Sequence, residues 1–85
     1  NWVQSRLTYP ALAQENNIQG TVTVKFVVEK DGRLTNIQVL KSPDKTLSDE
    51  AVQVLAKSPK WAPARQRDMA VRFSYTMPIV FKLQN

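Results

Sequence analysis

Carboxylate, hydroxyl and ammonium side chains are the groups in this sequence that could take part in catalysis. Asp49 and Glu50 are adjacent, but neighbouring residues of a helix point about 100° apart, so these carboxylates do not converge as an acid–base pair must. The serines at positions 42, 48, 58 and 74 have no histidine to activate them, because the chain contains none. A serine–lysine pair has no supporting signature either. These residues predict no catalytic site.

Cysteine and histidine are both missing from the chain. Their absence excludes disulfides, thiol nucleophiles and zinc sites built from cysteine and histidine. The two glycines, Gly20 and Gly32, do not form the glycine-rich loop that cradles phosphate. We therefore predict a non-enzymatic protein that uses no metal and no cofactor.

The 85 residues are enough for one domain, and 42% of them are hydrophobic. No apolar run approaches the roughly 20 residues that cross a membrane. The chain does not begin with Met, so we expect a piece of a longer protein. Residues 1–8 have no clear period, although Trp2 and Val3 are apolar enough to dock. We interpret 1–8 as a docking segment or the end of a linker, and 9–85 as the domain.

A helix and a hairpin are predicted in the first half of the chain. Pro10 suits the first turn of a helix that we place at Pro10–Asn16. From Gly20 onward, apolar and polar residues alternate through Val28, which is typical of a strand with one buried face. Asp31-Gly32 predicts a turn into a second strand, Arg33–Lys41. If side chains alternate strictly along this strand, Leu34 falls on the face opposite its other apolar residues. This indicates either a bulge near Thr35-Asn36 or a leucine on the outer face.

A second helix and a last strand are predicted in the other half. Apolar residues at helical spacing predict a helix over Leu47–Ser58 with Thr46 as its N-cap. The segment from Trp61 to Met69 contains no period and is interpreted as a loop, with Trp61 folding onto the core. Alternation resumes from Val71 to Leu83. The order α-β-β-α-β predicts an α+β domain, in which two helices cover one face of a three-stranded antiparallel sheet.

The excess of basic residues favours anionic partners. Lys and Arg number 12 against 7 acids, a formal net charge of +5. Basic residues near Trp61 could bind single-stranded nucleic acid, but the polar face of the first strand carries no aromatic residue on which a base could stack. Scattered solvated charge is the favoured interpretation, and a small basic nucleic-acid-binding domain is kept as a rival.

Pro78 lies in the middle of the last strand pattern. Proline has no N–H to donate, so such strands lie at a sheet edge or contain a bulge. Because backbone groups alternate in direction, the side that includes Pro78 is best placed at the free edge. The residues that would then direct their backbone groups outward are Arg72, Ser74, Thr76, Val80 and Lys82. A partner's strand could pair there, or the edge could be capped with no partner.

An ordered set of short motifs resembles the C-terminal domain of the TonB family. The motifs are Tyr9-Pro10-x-x-Ala13, Ile18-x-Gly20-x-Val22-x-Val24-x-Phe26-x-Val28, Asp31-Gly32, Val39-x-x-Ser42, Leu47-x-x-Glu50-Ala51, Trp61-x-Pro63-Ala64 and Pro78-Ile79-x-Phe81-x-Leu83. They extend from Tyr9 to Leu83, which is nearly the whole chain. The local sequence around Trp61 looks most like that of TonB-like proteins of Bacteroidetes.

The resemblance implies an energy transducer of Gram-negative bacteria. It implies a periplasmic domain, held to the inner membrane by an N-terminal anchor absent from this chain and coupled through it to the ExbB–ExbD motor. Such a domain grips the TonB box of outer-membrane transporters, which adds as a strand to the last strand of the domain. The alternative is a TonB-like interaction domain of another envelope protein, such as a sensor or a protease tail. An exposed edge also invites a dimer or a domain swap in a short fragment.

The resemblance also assigns residues. It places partner contacts along the last strand, including Pro78, and around the Tyr-Pro motif. In the second region the carried-over residues are Arg6, Leu7, Thr8 and Tyr9, although a packed Tyr9 ring is an equally good interpretation. Arg65, Gln66 and Arg67 are assigned to the rim. Arg72 and Lys82 are expected to attract acidic residues of the partner.

Overall fold

The computed structural model describes residues 2–83, and its central feature is a three-stranded antiparallel sheet. The helices are α1 (Trp2–Arg6), α2 (Ala11–Glu15) and α3 (Lys45–Ala56); the strands are β1 (Gly20–Val28), β2 (Leu34–Lys41), β3 (Ala64–Gln66), β4 (Met69–Val71) and β5 (Phe73–Phe81). The sheet has the order β2-β1-β5, and β3 and β4 form a separate hairpin. The predicted α+β architecture is confirmed. No helix within residues 2–83 has the length and apolarity needed to cross a membrane.

The core lies between the sheet and the helices. β1 is the central strand, and its alternation places Val22, Val24, Phe26 and Val28 in full burial beneath α3. β5 contributes Met77, Ile79 and Phe81 to the same face. β1 and β5 pair without interruption, from Gly20 opposite Phe81 to Val28 opposite Phe73. Burial of alternate residues on both strands is the driving force that sets this register.

A bulge in β2 explains the position of Leu34 in the alternating pattern. Lys25 pairs with Gln38 and Val27 pairs with Thr35, so two residues of β2 oppose the single Phe26. Asn36 has a φ of 53°, a left-handed conformation that asparagine tolerates better than most residues. The extra residue brings Leu34 back to the core side, where it packs against the buried cluster. A second register shift, between Thr23 and Val24, interrupts β2 again.

The N-cap of α3 is Asp44, so the prediction of Thr46 is wrong. The helix begins at Lys45, and the Asp44 carboxylate accepts a hydrogen bond of 2.9 Å from the Thr46 backbone N–H. The hydrogen bonds from the Thr46 hydroxyl and backbone N–H hold the pKa of Asp44 below its usual value. Thr46 therefore acts as a donor to the cap. The helix also ends at Ala56 rather than at Ser58, and its apolar face is buried as predicted.

A helix, α1, and a hairpin, formed by β3 and β4, lie where the sequence predicts neither. α1 contacts α3 and β5, and Val3 is 1% exposed within the core, as expected of a docking segment. The docking expected of Trp2 concerns a side chain that the structure does not describe. The predicted loop from Trp61 to Met69 contains β3 and the start of β4. Arg67 and Asp68 both have positive φ, 52° and 64°, the geometry of a two-residue hairpin turn. No glycine occupies that turn, so the usual sequence signal for it is missing.

Candidate partner-binding edge

β5 is an edge strand, as Pro78 predicts. It pairs with β1 on one side, and no strand within residues 2–83 pairs with its other side. Even-numbered residues of β5 place exposed side chains on the face of the sheet opposite the helices. Ser74, Thr76, Pro78 and Val80 all belong to this set, and Thr23 of β1 lies opposite Pro78. Four of the six residues predicted for this edge therefore lie in one exposed row of β5, and Arg72 and Lys82 lie just outside its two ends.

Arg72, at the start of this row, is already paired inside the chain. Its guanidinium donates to both carboxylate oxygens of Glu29, at 3.0 and 3.1 Å. The hydrogen bonds from Arg72 and from the Thr35 hydroxyl lower the pKa of Glu29, in that order of size. Arg72 therefore differs from Lys82, which is exposed and has no acidic partner among residues 2–83. The attraction for a partner's acids expected of both residues is better placed on Lys82.

Tyr9 packs inward. Its ring meets Phe81 edge-on, with 5.6 Å between the ring centroids, and its hydroxyl donates to the backbone carbonyl of Ile18. These contacts fasten the segment before α2 to the inner face of β5 and to the start of β1. They correspond to the packing interpretation of Tyr9, because both the ring and the hydroxyl are engaged within the chain.

The other residues of the Tyr-Pro region lie in the helical layer. Leu7 packs against the core, and the Thr8 backbone N–H donates to the Glu50 carboxylate of α3 at 2.8 Å. Arg6 and Thr8 line a shallow groove beside Glu50 and Gln53. The structure thus separates the two predicted sets of residues: Arg6 to Tyr9 lie with the helices, whereas the exposed side chains of β5 lie on the opposite face of the sheet.

The rim residues Arg65, Gln66 and Arg67 are exposed on the hairpin of β3 and β4. Arg65 donates to the backbone carbonyl of Asp68 at 3.3 Å across the hairpin turn. This contact orders the turn while leaving the rest of the hairpin surface accessible. The hairpin leads directly into β5, so these residues lie beyond the Phe73 end of the candidate edge.

An aromatic cluster that the sequence does not reveal lies at the Phe73 end of β5. The rings of Phe26, Trp61 and Tyr75 meet edge-on, with centroids 5.3–6.2 Å apart. The Trp61 indole N–H donates to the Ser58 hydroxyl at 2.7 Å, which confirms that Trp61 folds onto the core. Tyr75 is 44% exposed although alternation assigns it to the core face. Alternation predicts the direction of a side chain, but not whether another element covers it.

The adjacent carboxylates considered for catalysis are engaged separately. Asp49 forms an ion pair with Lys45 at 3.0 Å, and Glu50 accepts the backbone hydrogen bond from Thr8. Residues 2–83 contain no group of three or more side chains suited to holding a metal ion. The described surface is therefore distinguished by its sheet edge rather than by a cluster of reactive groups.

Comparison with known proteins shows similarity over nearly the whole chain. A family model described as the C-terminal of Gram-negative bacterial TonB protein matches residues 5–83. Protein TonB of Klebsiella pneumoniae is 36% identical over 76 residues, which cover 89% of this chain and 29% of the relative. Protein TonB of Yersinia enterocolitica is 32% identical over 81 residues, covering 94% and 29%. The chain thus spans less than a third of the length of these relatives.

Solved structures agree with the family match. The solution structure of the Pseudomonas aeruginosa TonB C-terminal domain superimposes with a TM-score of 0.78 at 32% identity, covering 96% of this chain and 83% of that one. A Helicobacter pylori TonB C-terminal domain gives a TM-score of 0.73 at 26% identity, covering 99% and 88%. Domains of this family are not enzymes, in agreement with the prediction from the residues. The chain belongs to the family of TonB C-terminal domains of Gram-negative bacteria.

Proposed function

We propose that this chain is the gripping domain of a TonB-type energy transducer. It works in the periplasm, held to the inner membrane through another part of the protein, and it binds the TonB box of outer-membrane transporters. The box adds as a strand to the free edge of β5. The observation that carries this proposal is the position of β5 at the edge of the sheet, with one proline in an otherwise regular strand.

Pro78 indicates which backbone groups are available to the partner. Consecutive residues of an antiparallel strand direct their N–H and C=O groups to opposite sides. Pro78 has no N–H, so the pairing with β1 is best made by the odd-numbered residues, among them Met77 and Ile79. The even-numbered residues, among them Ser74 and Thr76, then direct their backbone groups toward an incoming strand. Strand addition of this kind needs little sequence specificity, which suits a domain that serves several transporters.

The expected affinity fits a cycle of gripping and release. Each backbone hydrogen bond contributes a net free energy of only about 0.5–1.5 kcal/mol, so roughly four or five of them bind modestly. Pro78 removes one donor from this set where the box runs past it. Energy reaches the domain from the ExbB–ExbD motor, driven by the proton gradient, through parts of the protein outside this chain.

The test is an NMR titration of the labelled chain with TonB-box peptides from the same genome. We expect amide shifts concentrated between Arg72 and Lys82, with smaller shifts near Arg6 to Tyr9. The Thr76→Pro variant should abolish binding because it removes an N–H from the free edge. Thr76→Ala is its matched control: it removes the side chain, keeps the N–H and should bind within about twofold.

Two results would contradict the proposal. Binding by a folded Thr76→Pro variant that equals binding by the control would place the contact elsewhere. A folded wild-type chain that responds to none of the peptides at millimolar concentration would assign the domain a different partner. Steep loss of a nucleic-acid complex with salt would instead favour the rival class, because release of counterions gives that dependence.

A further inference from the structure

The charges of this chain are divided unevenly between its two layers. The segments that contain the helices, residues 2–19 and 42–60, include four basic and four acidic residues. The segments that contain the strands, residues 20–41 and 61–83, include eight basic and three acidic residues. The helical layer is therefore formally neutral, and the whole net charge of +5 belongs to the part of the chain that forms the sheet and the small hairpin.

Besides Arg72, which is paired with Glu29, three of these cations lie on the side of the sheet that faces away from the helices, here called the outer sheet face. Lys25 of β1 is opposite Gln38 and Thr76, and Lys41 of β2 is opposite Thr23. Cross-strand partners point to the same face, so Lys25 and Lys41 share it with the even-numbered residues of β5. Lys82 continues that row directly after β5. All three lysines are exposed.

The outer sheet face carries little negative charge. The side chains between the lysines are short, as at Thr21, Thr23 and Thr76, and no aromatic residue of the described strands points to this face. Its one acid within residues 2–83 is Glu29, which is neutralised by Arg72. The cations are distributed over three strands about 4.8 Å apart, so they form a two-dimensional array rather than a line.

We propose that the outer sheet face docks on a membrane surface rich in anionic phospholipid. Such a surface is a plane of negative charge, and each lysine near it adds to the attraction. An acidic peptide strand added at β5 would run near Lys82, but β5 and β1 would both lie between it and Lys41 on β2. Stable protein interfaces are depleted in lysine and enriched in aromatic residues, which is the reverse of this face. Single-stranded nucleic acid would need aromatic side chains on which its bases stack.

Docking in this orientation leaves the free edge of β5 open. The backbone groups at the edge point outward within the plane of the sheet, whereas the side chains of the outer sheet face point perpendicular to that plane. One surface can therefore contact lipid while the other pairs with a strand. The proposal does not depend on the identity of the strand-adding partner. It can therefore fail while the gripping function stands, and the reverse also holds.

The test measures sedimentation of the chain with lipid vesicles. One set is pure phosphatidylcholine and the other is an equimolar mixture with phosphatidylglycerol. The sheet variant carries Lys25→Gln, Lys41→Gln and Lys82→Gln. The matched helix variant carries Lys45→Gln, Lys57→Gln and Lys60→Gln, which removes the same charge from α3 and from the segment that follows it. Circular dichroism checks that both variants fold.

We expect the wild type to bind the anionic vesicles at low salt and to be released as the Debye length shortens toward about 3 Å near 1 M salt. The sheet variant should lose roughly tenfold or more in partition coefficient, and the helix variant less than about threefold. Equal losses in the two variants would show that net charge alone acts and would overturn the proposal. So would equal binding of the wild type to both vesicle types, or binding to soluble polyglutamate as strong per charge as to the vesicles.

Discussion

The two edges of the sheet differ in regularity. β5 pairs with β1 over nine consecutive residue pairs, whereas β2 pairs with the other side of β1 through two register shifts. Bulges twist an edge and interrupt the row of groups that another strand would need, and they are a common means of blocking unwanted pairing. One edge of this small sheet is therefore blocked by its own backbone geometry, and the other is left receptive apart from Pro78.

This difference in backbone regularity indicates which edge can accept a partner strand, without any argument from side-chain chemistry. Both edges expose apolar side chains, Val39 and Leu40 on β2 and Val80 on β5, so exposed apolar area does not distinguish them. Backbone regularity does distinguish them. The variants described next change one edge, the other, or the strand that both share, and they are ordered by the size of the expected effect.

Phe26→Ala should lower the stability of the whole sheet, because Phe26 lies on the strand that pairs with both edge strands. Phe26 is fully buried on β1 and holds the rings of Trp61 and Tyr75. Removing a buried phenylalanine costs about 3–5 kcal/mol of unfolding free energy, through lost burial and the cavity left behind. Urea denaturation measures this loss, and Lys25→Ala, an exposed neighbour on the same strand, should stay within about 0.5 kcal/mol. Similar losses in both variants would contradict the assigned faces of β1.

Gly32→Ala should lower the local stability of β2 more than that of β5. Gly32 has a φ of 90°, and an added Cβ would lie 2.2 Å from the backbone carbonyl oxygen of Trp61. We expect a loss of about 2–3 kcal/mol, from left-handed strain together with displacement of that backbone. Hydrogen exchange should show protection falling in β2 before β5. Lys30→Ala in the same turn serves as control, and uniform loss of protection along both edges would argue against independent edges.

Asn36→Val tests the bulge itself. The left-handed φ of 53° at this position is unfavourable for a β-branched residue, so we expect a loss of about 1 kcal/mol. Asn36→Gly, which tolerates the same φ, should differ from wild type by only a few tenths. Thermal unfolding compares the pair. Equal stability of the valine and glycine variants would mean that β2 reaches the core without the bulge.

Glu29→Gln should have the smallest effect and a defined pH dependence. The pKa of Glu29 is lower in the folded chain than its ordinary 4.5, because Arg72 and Thr35 stabilise the carboxylate. The stabilisation is therefore present above pH 4.5 and is lost as the pH falls through the folded pKa. Wild type and variant should differ slightly in melting temperature at pH 7 and converge at acidic pH. A difference that grows on acidification would contradict the ion pair.

The parts of the fold predicted correctly from sequence are those whose signal is local. Alternation through β1 and β5 is strong because one face of each strand is buried, and Pro78 reveals the edge because a missing N–H is a property of one residue. The parity of Leu34 likewise indicates that a bulge is one of two solutions. Contacts distant in the chain carry no such signal, and the ion pair between Glu29 and Arg72 joins residues 43 positions apart.

The errors have a similar origin. Asp44 and Thr46 are both good N-cap residues, and the choice between them depends on where the helix meets the preceding chain. The hairpin of β3 and β4 has no glycine in its turn, so propensity alone does not find it. Tyr9 is not one of these errors, because the sequence leaves a packed ring and a partner contact as equal interpretations. Its hydroxyl donates to the backbone carbonyl of Ile18 and its ring packs inward.

The continuous antiparallel register between β5 and β1 has a mechanical consequence. A load applied along the strand axis would act on nine residue pairs at the same time, in shear, whereas a load perpendicular to the strands would open the pairs one after another. Rupture under force is governed by the rate of unfolding rather than by equilibrium stability. A domain loaded in shear through β5 would therefore have to lose these nine pairs together before the strand separates.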